Sequence, residues 1–356
     1  MKKSKLAHAV LNKLTITIFE LLLVIFSGSH ARAAAILCTP VSGLNFSPAV
    51  DSQAFGRDAA VGSTSQPFST LLNVSCTSDP AASHGFSLQV GTNDGVAVSG
   101  VANTLQTNIA GIGVQYYFSS DDGGTTCKPY SGGFPAYVSA SRRNIDCTIP
   151  KASADTIKPF SLRLSVVFVK TASTPTGTLS KIPTVYIETY YDSTKTLVPW
   201  TNAISGTATG IFAIAACTVT TTSIAVTMPK TYTYRLPKVG STDGETSLNI
   251  GLNCDQGVKV FTTLTDVSNP NNQTTTLSLS PDSTAQGIGY QILFGGVPAV
   301  FGPDSAVVAN PGQFLINPAQ TTGGVITVPL TARYIRTGKV GTGSANGKAT
   351  FTMSYQ

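Results

Sequence analysis

The sequence has few charged side chains and little histidine, and these shortages exclude several kinds of function. Charged residues make up 11% of the 356 residues, and of three histidines only His84 lies beyond residue 30. No Gly-x-Ser-x-Gly or Cys-x-x-Cys motif occurs, so the usual surroundings of a serine nucleophile or a zinc ion are missing. We therefore predict that the protein is not an enzyme and that it uses neither a cofactor nor a metal ion.

The first residues have the order of a secretory signal peptide. Four lysines precede the apolar run LLLVIFSG, and the sequence ARA at residues 31–33 offers small side chains to a signal peptidase. We predict a leader over residues 1–34, with cleavage between Ala33 and Ala35. The alternative is a retained membrane anchor, which fits less well because the apolar run is short and is interrupted by Glu20.

Most of the excess positive charge lies in this leader. Subtracting its five basic residues and one acid from totals of 23 and 17 leaves 18 basic and 16 acidic residues, a net charge of about +2. So small a charge gives no basic footprint for DNA or RNA, and we predict no nucleic-acid partner. The abundance of Thr, Ser, Gly, Val and Ala favours an all-β protein with many short strands and turns.

Six cysteines lie beyond the leader, and their spacing indicates disulfides. They are Cys38, Cys76, Cys127, Cys147, Cys217 and Cys254. The first and second are 38 residues apart and the fifth and sixth are 37 apart, which suggests two copies of one cross-linked unit. The third and fourth would form an extra bridge in the first unit. An even number in an exported chain favours disulfides over zinc ligation, the alternative interpretation.

Other stretches also recur between the two halves of the chain. The sequence GIGVQYYFSS begins at Gly111, and GIGYQILFGG begins at Gly287. Later, GTLSKIPTVYIETYY from Gly177 can be laid without gaps on GTGSANGKATFTMSY from Gly341. This duplication predicts two β-sandwich domains in tandem.

The domain limits follow from the cysteines and from a glycine-containing boundary. We predict an amino-terminal domain at residues 36–205, a linker at residues 206–216 and a carboxy-terminal domain at residues 217–356. Gly206 and Gly210 suggest a hinge between the domains, although the apolar sequence GIFAIA in the same stretch is also suited to one more strand.

The final stretch, GKATFTMSYQ, has the period-2 pattern of a strand that buries one face. Its apolar positions are Ala349, Phe351, Met353 and Tyr355. The first half continues beyond its corresponding strand, whereas the second half stops there. We therefore expect the second sandwich to lack its last strand and to expose an apolar groove. Ordinary core packing is the alternative explanation of the pattern.

Residues 217–356 resemble the pilin domain of chaperone–usher fimbriae. The resemblance rests on the last cysteine pair, GIGYQILFGG, VPLTARYIRTG, GSANGKATFTMSYQ, and the positions of Tyr355 and Gly343 relative to the end. It implies an immunoglobulin-like sandwich without its last strand. A periplasmic chaperone would supply that strand first, and an adjacent minor pilin subunit would replace it when the subunit is assembled at the outer-membrane usher. Gly343, Phe351, Met353 and Tyr355 would then lie at the chaperone and donor-strand groove.

The resemblance also predicts a position in the fibre. A shaft subunit carries a donor strand ahead of its first cysteine, but only two to four residues separate the predicted cleavage site from Cys38. We therefore expect an adhesin at the fimbrium tip, exported through the periplasm to the cell surface, that binds a host glycan or matrix protein. A non-adhesive minor pilin or tip adaptor is the alternative.

Receptor contacts are expected in the loops of the amino-terminal domain. Carboxylates and amides can hydrogen-bond to sugar hydroxyls, and aromatic rings can stack on a pyranose. The candidates are Asn93, Asp94, Asp121, Asp122, Tyr130, Phe134, Tyr137 and Arg142. Turn formation is the favoured interpretation for GTNDG and SSDDGG. The loop between Cys127 and Cys147 is the better candidate, because a cross-link organises its surface in advance.

Overall fold

The protein is described here by a computed structural model covering residues 36–78, 82–122, 124, 126–151, 156–173 and 175–356. The leader predicted at residues 1–34 lies outside these residues. In the described chain every regular element is a β-strand, apart from one 3₁₀ turn at Thr233–Arg235. The prediction of an all-β fold is confirmed. No helix in the described ranges is long and apolar enough to cross a membrane.

Fourteen strands form the first half of the fold. They are β1 (Cys38–Ser42), β2 (Ala49–Gly56), β3 (Phe68–Ser78), β4 (His84–Gly91), β5 (Leu105–Gln106), β6 (Ile112–Ser120), β7 (Cys127–Pro129), β8 (Ala136–Val138), β9 (Arg143–Ile149), β10 (Thr156–Lys170), β11 (Gly177–Lys181), β12 (Tyr186–Tyr191), β13 (Thr196–Pro199) and β14 (Thr207–Ala215).

These strands form three sheets around one core. The strand orders are β1-β3-β10-β6-β5 with β8 beside β6, then β13-β12-β4-β9-β7, and β11-β14-β2. Alternation explains which side chains enter the core: on β4, Phe86, Leu88 and Val90 are buried, and their neighbours face the other way. Phe86 packs against Phe160 and Tyr191 with ring centroids 6.1 Å apart in both pairs, which ties the two larger sheets together.

Eight strands form the second half. They are β15 (Cys217–Val219), β16 (Thr242–Gln256), β17 (Val260–Asp266), β18 (Gln286–Phe294), β19 (Val297–Pro298), β20 (Phe314–Leu315), β21 (Thr322–Gly341) and β22 (Ala349–Tyr355). They form a five-stranded sheet in the order β15-β16-β21-β18-β19 and a three-stranded sheet in the order β20-β17-β22. Two groups of buried apolar side chains lie in this half, and Phe351 packs against both groups.

The segment between the halves differs from the expected linker. Within residues 206–216, β14 lies between β11 and β2, antiparallel to the first and parallel to the second. Gly210 is a packing position, because a Cβ atom there would lie 2.3 Å from the carbonyl oxygen of Val50. Phe212 is buried in the core of the first half. The strand suggested by GIFAIA therefore forms, and the chain passes between the halves at Ala216.

Three disulfides cross-link the strands. Cys38–Cys76 joins β1 to β3, Cys127–Cys147 joins β7 to β9, and Cys217–Cys254 joins β15 to β16. The first and third occupy corresponding places, because each links the first strand of its half to a long neighbouring strand. This correspondence supports the duplication that the cysteine spacing suggested.

Candidate functional site

One edge of the terminal strand β22 borders an open groove. Its other edge pairs with β17 along its whole length, from Val260 opposite Tyr355 to Asp266 opposite Ala349. Among the described residues no strand pairs with the groove-side edge. The groove, which we call the β22 groove, has a volume of about 810 Å³ and lies between residues 219–228 and residues 345–351.

The floor of the β22 groove is mainly apolar and comes from both sheets of the second half. Its residues are Leu248, Ile250, Leu264, Leu277, Tyr290, Ile292, Leu330, Ala332 and Tyr334. The wall opposite β22 has no regular secondary structure, but Ile224, Val226 and Met228 are half-buried and alternate with exposed neighbours. The groove therefore has an unpaired backbone on one side and apolar side chains beneath it, which are the two features that strand addition requires.

The chain leading into β22 is held in place by Tyr290. The Tyr290 hydroxyl donates a hydrogen bond of 2.7 Å to the carbonyl oxygen of Ala345, and burial raises the pKa of this tyrosine. A Cβ atom at Gly347 would lie 2.9 Å from the Tyr290 ring. The backbone therefore passes close over the ring, and the start of β22 is fixed without a paired neighbour on the groove side.

The four groove residues predicted from the sequence lie in different places. Phe351 lines the β22 groove, whereas Met353 and Tyr355 are buried further along the strand. Gly343 packs against the residues just before β18, because a Cβ atom at Gly343 would lie 2.4 Å from the hydroxyl oxygen of Thr284. Their role toward a partner stays a prediction.

The end of β22 contacts the first half of the chain. The Asp58 backbone N–H donates to the carbonyl oxygen of Tyr355 at 2.8 Å, and the Tyr355 N–H donates to Asp58 Oδ2 at 2.9 Å. The Arg57 guanidinium lies 4.7 Å from the centre of the Tyr355 ring. Burial raises the pKa of Tyr355, and the hydrogen bond from Arg57 to Asp58 raises the pKa of that guanidinium. The strand that borders the groove is therefore joined to the amino-terminal half.

A buried lysine holds the loop that makes this contact. The Lys170 ammonium group donates to the carbonyl oxygens of Gly56, Arg57 and Ala59 at 2.8–3.0 Å. Burial lowers the pKa of Lys170. Three carbonyl acceptors replace the lysine's hydration, so this cation fixes the loop that presents Asp58 to Tyr355.

The acidic and amide candidates of the first half do not form one site. Asn93 and Asp94 follow β4, next to the start of β6, whereas Asp121 and Asp122 follow the end of β6. The intervening part of β6, from its pairing with Leu105 to its end, measures roughly 20 Å at about 3.3 Å per residue. A single monosaccharide therefore cannot contact both pairs.

Three of these aspartates bind other groups of the first half. Asp94 accepts hydrogen bonds from the backbone N–H and hydroxyl of Thr184 at 2.9 and 3.1 Å, and Asp121 pairs with Arg163 at 3.2 Å. Hydrogen bonds from the hydroxyl of Ser120 and from Thr126 lower the pKa of Asp122 to about 2. Only the contacts of Asp122 are those of a turn, whereas Asp94 and Asp121 bind residues 90 and 42 positions away along the chain.

The aromatic candidates also differ in their surroundings. Tyr130 is 77% exposed, and its backbone N–H is fixed by a 3.0 Å hydrogen bond to the carbonyl oxygen of Asn144. Phe134 is half-buried against the core of the first half. Tyr137 packs on Tyr117 with ring centroids 5.4 Å apart. Of the three, Tyr130 is the ring most available to a ligand.

Arg142 belongs to a polar surface that includes Tyr130 and residues the sequence had not indicated. Arg142 forms an ion pair of 3.4 Å with Glu188. Because β4 lies between β9 and β12, this ion pair bridges over β4, where Gln89 stands opposite both Asn144 and Glu188. We call this surface, made of Gln89, Tyr130, Arg142, Asn144 and Glu188, the Gln89 face. The alternation of β4 indicates that Gln89 lies on the face opposite Leu88 and Val90, but it does not indicate that this face is open to a ligand.

A comparison of the sequence with known families identifies the second half. Residues 204–356 match the family model described as "Fimbrial protein". This part of the chain is a fimbrial domain. The match includes the whole β22 groove and both of its walls. The resemblance of the second half to fimbrial subunits is therefore confirmed.

Curated relatives of the chain are fimbrial adhesins. The F17c-G and F17b-G fimbrial adhesins of Escherichia coli are each 38% identical to it over 125 residues, which cover 34% of this chain and 36% of each relative. The chain thus matches about a third of the length of these relatives.

Solved structures show weaker similarity. The CupB6 tip adhesin from Pseudomonas aeruginosa is 18% identical and has a TM-score of 0.37, with 90% of this chain and 94% of that chain covered. The P pilus rod subunit PapA is 16% identical and has a TM-score of 0.30, with 39% of this chain and 99% of that chain covered.

Proposed function

We propose that the protein is a fimbrial tip adhesin whose fimbrial domain is completed by a strand from another polypeptide. The observation that carries the proposal is the β22 groove, which combines an unpaired strand edge with an apolar floor. An extended segment that pairs with β22 would satisfy the edge backbone and place alternate side chains on the floor. Each apolar side chain buried in this way stabilises the complex by roughly 1.5–3 kcal/mol.

The partners that we propose are those expected of a fimbrial subunit, and the β22 groove supports the strand-donating ones. A periplasmic chaperone would fill the β22 groove during export, the outer-membrane usher would receive the complex, and an adjacent minor pilin subunit would supply the final strand. The first half would then carry the receptor site, for a host glycan or matrix protein. The names of the curated relatives favour adhesion over the alternative role of a tip adaptor.

The domain limits are part of the proposal. We propose a receptor domain that begins at residue 36 and includes β14, followed by the fimbrial domain from Cys217. The reason is that Phe212 packs in the core of the first half, whereas Ala215, at the last position of β14, packs in the core of the second half. With β14 in the first domain, its three-stranded sheet is complete.

Strand addition can be tested on the full chain by fusing a donor segment to its carboxy terminus through a flexible linker. A segment with alternating apolar residues should raise the unfolding temperature of the fimbrial domain and suppress aggregation. The matched control has the same composition with the alternation shifted by one residue, which turns the apolar side chains away from the floor. Equal behaviour of the two fusions would overturn the groove assignment.

Adhesion requires a separate measurement. Fimbriated cells that assemble the full chain should attach to host cells or immobilised glycans, and deletion of its gene should abolish attachment while leaving a fibre. If attachment is the same without the protein, the chain is an adaptor and not the adhesin.

A further inference from the structure

The Gln89 face contains a buried polar group without a partner. Gln89 is 7% exposed, and its Oε1 atom accepts no hydrogen bond. Leu88 and Val90 are fully buried in the core, so the alternation of β4 directs Gln89 to the opposite face of the sheet. An unpaired buried acceptor costs stability, and a ligand that donates a hydrogen bond to it would recover that cost.

The groups around Gln89 offer both donors and acceptors. The Arg142–Glu188 ion pair bridges over β4 beside Gln89, and Asn144 stands next to Gln89 on β9. Next to it on β4, Gly91 is covered by the Tyr186 side chain, because a Cβ atom at Gly91 would lie 2.5 Å from the Tyr186 hydroxyl oxygen.

An exposed aromatic ring completes the surface. In the ladder of β7 and β9, Cys127 and Pro129 face the core and Lys128 faces outward, so Tyr130 stands on the outer side next to Asn144. Its backbone is fixed by the hydrogen bond to Asn144, while its ring remains largely free of protein contacts. A fixed, exposed tyrosine offers a flat surface at low entropic cost.

We propose that the Gln89 face binds a neutral saccharide, an inference that rests on the proposed adhesive function and specifies its site. A sugar hydroxyl can donate to Gln89 Oε1, and it can accept instead if the amide is rotated, so it suits either orientation. The paired charges of Arg142 and Glu188 cancel, which matches a neutral ligand better than a sialylated one. Tyr130 stacks on the apolar face of the sugar ring.

The test uses the full chain and an array of neutral hexose- and N-acetylhexosamine-terminated oligosaccharides with their sialylated counterparts. We expect binding to neutral oligosaccharides. Gln89→Leu and Tyr130→Ala should each weaken it by about tenfold or more, because a site built around a ligand hydroxyl loses that match. Tyr232→Ala is the matched control, since Tyr232 is an exposed tyrosine of the fimbrial domain. Gln89→Glu, which keeps an acceptor, should retain more binding than Gln89→Leu.

Thermal unfolding separates a binding role from a structural one. Gln89→Leu removes an unpaired polar group, so its unfolding temperature should equal or exceed that of the unmodified chain while binding is lost. A lower unfolding temperature together with unchanged saccharide binding would assign Gln89 a purely structural role and overturn the proposal.

The remaining outcomes distinguish this inference from the proposed function. If the chain binds saccharides and the Gln89 and Tyr130 variants bind equally well, the site is wrong and the adhesive function stands. If no saccharide binds but fimbriated cells still attach through the chain, the saccharide assignment is wrong. If attachment does not depend on the chain, the adhesive function fails and the inference fails with it.

Discussion

The strands β12 and β22 occupy corresponding positions in the two halves, yet within the described ranges only β12 has neighbours on both sides. β12 pairs with β4 and β13, whereas β22 pairs with β17. Both strands carry the same alternation, and Tyr191 aligns with Tyr355 in the gapless repeat. The comparison teaches that alternation reports which face of a strand is buried and carries no information on whether both edges are paired.

The two aligned tyrosines are also fixed in different ways. The Tyr191 hydroxyl accepts a 2.8 Å hydrogen bond from the backbone N–H of Cys38, so it joins the end of β12 to the start of β1 beside the first disulfide. Tyr355 instead uses its backbone to bind Asp58 of the other half. The last tyrosine of the first half is therefore held by its own half, whereas the last tyrosine of the second half is held by a residue of the first half.

The largest effect is expected from the corresponding disulfides. Replacing Cys217 and Cys254 by serine, or Cys38 and Cys76 by serine, should each cost roughly 4 kcal/mol in the chain-entropy account. Because the second half has an unpaired strand edge, we expect its variant to lose the fimbrial domain's unfolding transition in urea, while the first-half variant keeps a weakened transition. Loss of the first half with retention of the second would reverse the comparison.

Asp266 should show the next largest effect. This buried carboxylate accepts hydrogen bonds from the N–H groups of Ser268 and Ser278, both at 2.9 Å, and from Asn272 at 2.9 Å. Burial raises its pKa, but these hydrogen bonds outweigh burial and the net pKa is lowered. Asp266→Ala should destabilise the fimbrial domain by about 3 kcal/mol or more.

The pH dependence of the Asp266 contribution follows from the direction of the shift. A lowered native pKa means that the stabilisation is fully present above the unfolded value of about 4 and is lost as the pH falls through the native pKa. Urea titrations should therefore show a larger acid loss of stability in the unmodified chain than in Asp266→Ala. Parallel pH profiles would contradict this account.

A smaller effect is expected at the junction of the halves. Asp58→Ala removes the acceptor of the Tyr355 N–H and should cost about 1–3 kcal/mol. Asp51→Ala, which changes an exposed aspartate on β2, is the control. Calorimetry should show closer coupling of the two unfolding transitions in the unmodified chain than in Asp58→Ala. Unchanged coupling would mean that this contact does not join the halves.

The smallest effect is expected at Asp122. Its pKa is lowered to about 2 by the hydroxyl of Ser120 and by Thr126, but the carboxylate is exposed. Asp122→Asn should change stability by less than about 1 kcal/mol, and the change should disappear as the pH falls from about 4 to 2. A loss of stability comparable to that of Asp266→Ala would show that solvent exposure does not reduce the contribution of the Asp122 hydrogen bonds.

The sequence predicted the local structure well and the long-range contacts poorly. The alternation of β22 and the apolar GIFAIA were sufficient for two strands, because period-2 burial is a local property. Of the two glycines that suggested a hinge, Gly206 lies just before β14, whereas Gly210 lies within it, where the nearness of Val50 requires a glycine. Whether a position requires glycine depends on the residues that lie near it in space, and the sequence does not show these.

The candidate sites show the same limit. The resemblance to fimbrial subunits predicted the groove. The contact of Asp58 with Tyr355 joins positions 297 residues apart, and no sequence motif predicts it. Gln89 was missed because a polar residue in a strand is expected to be exposed, and its sequence neighbours do not show that it is buried. The turn at Asp122, by contrast, was recognisable from its sequence neighbours alone.

Amide hydrogen exchange on the full chain tests the central claim most directly, because it compares β12 and β22 in one molecule. We predict that in β12 the amides paired to β4 or β13 are protected. Those of β22 directed away from β17, apart from Tyr355, whose N–H is bound by Asp58, should exchange rapidly until a donor strand is fused to the chain. Protection of every β22 amide without a donor, or no gain in protection with one, would contradict the claim.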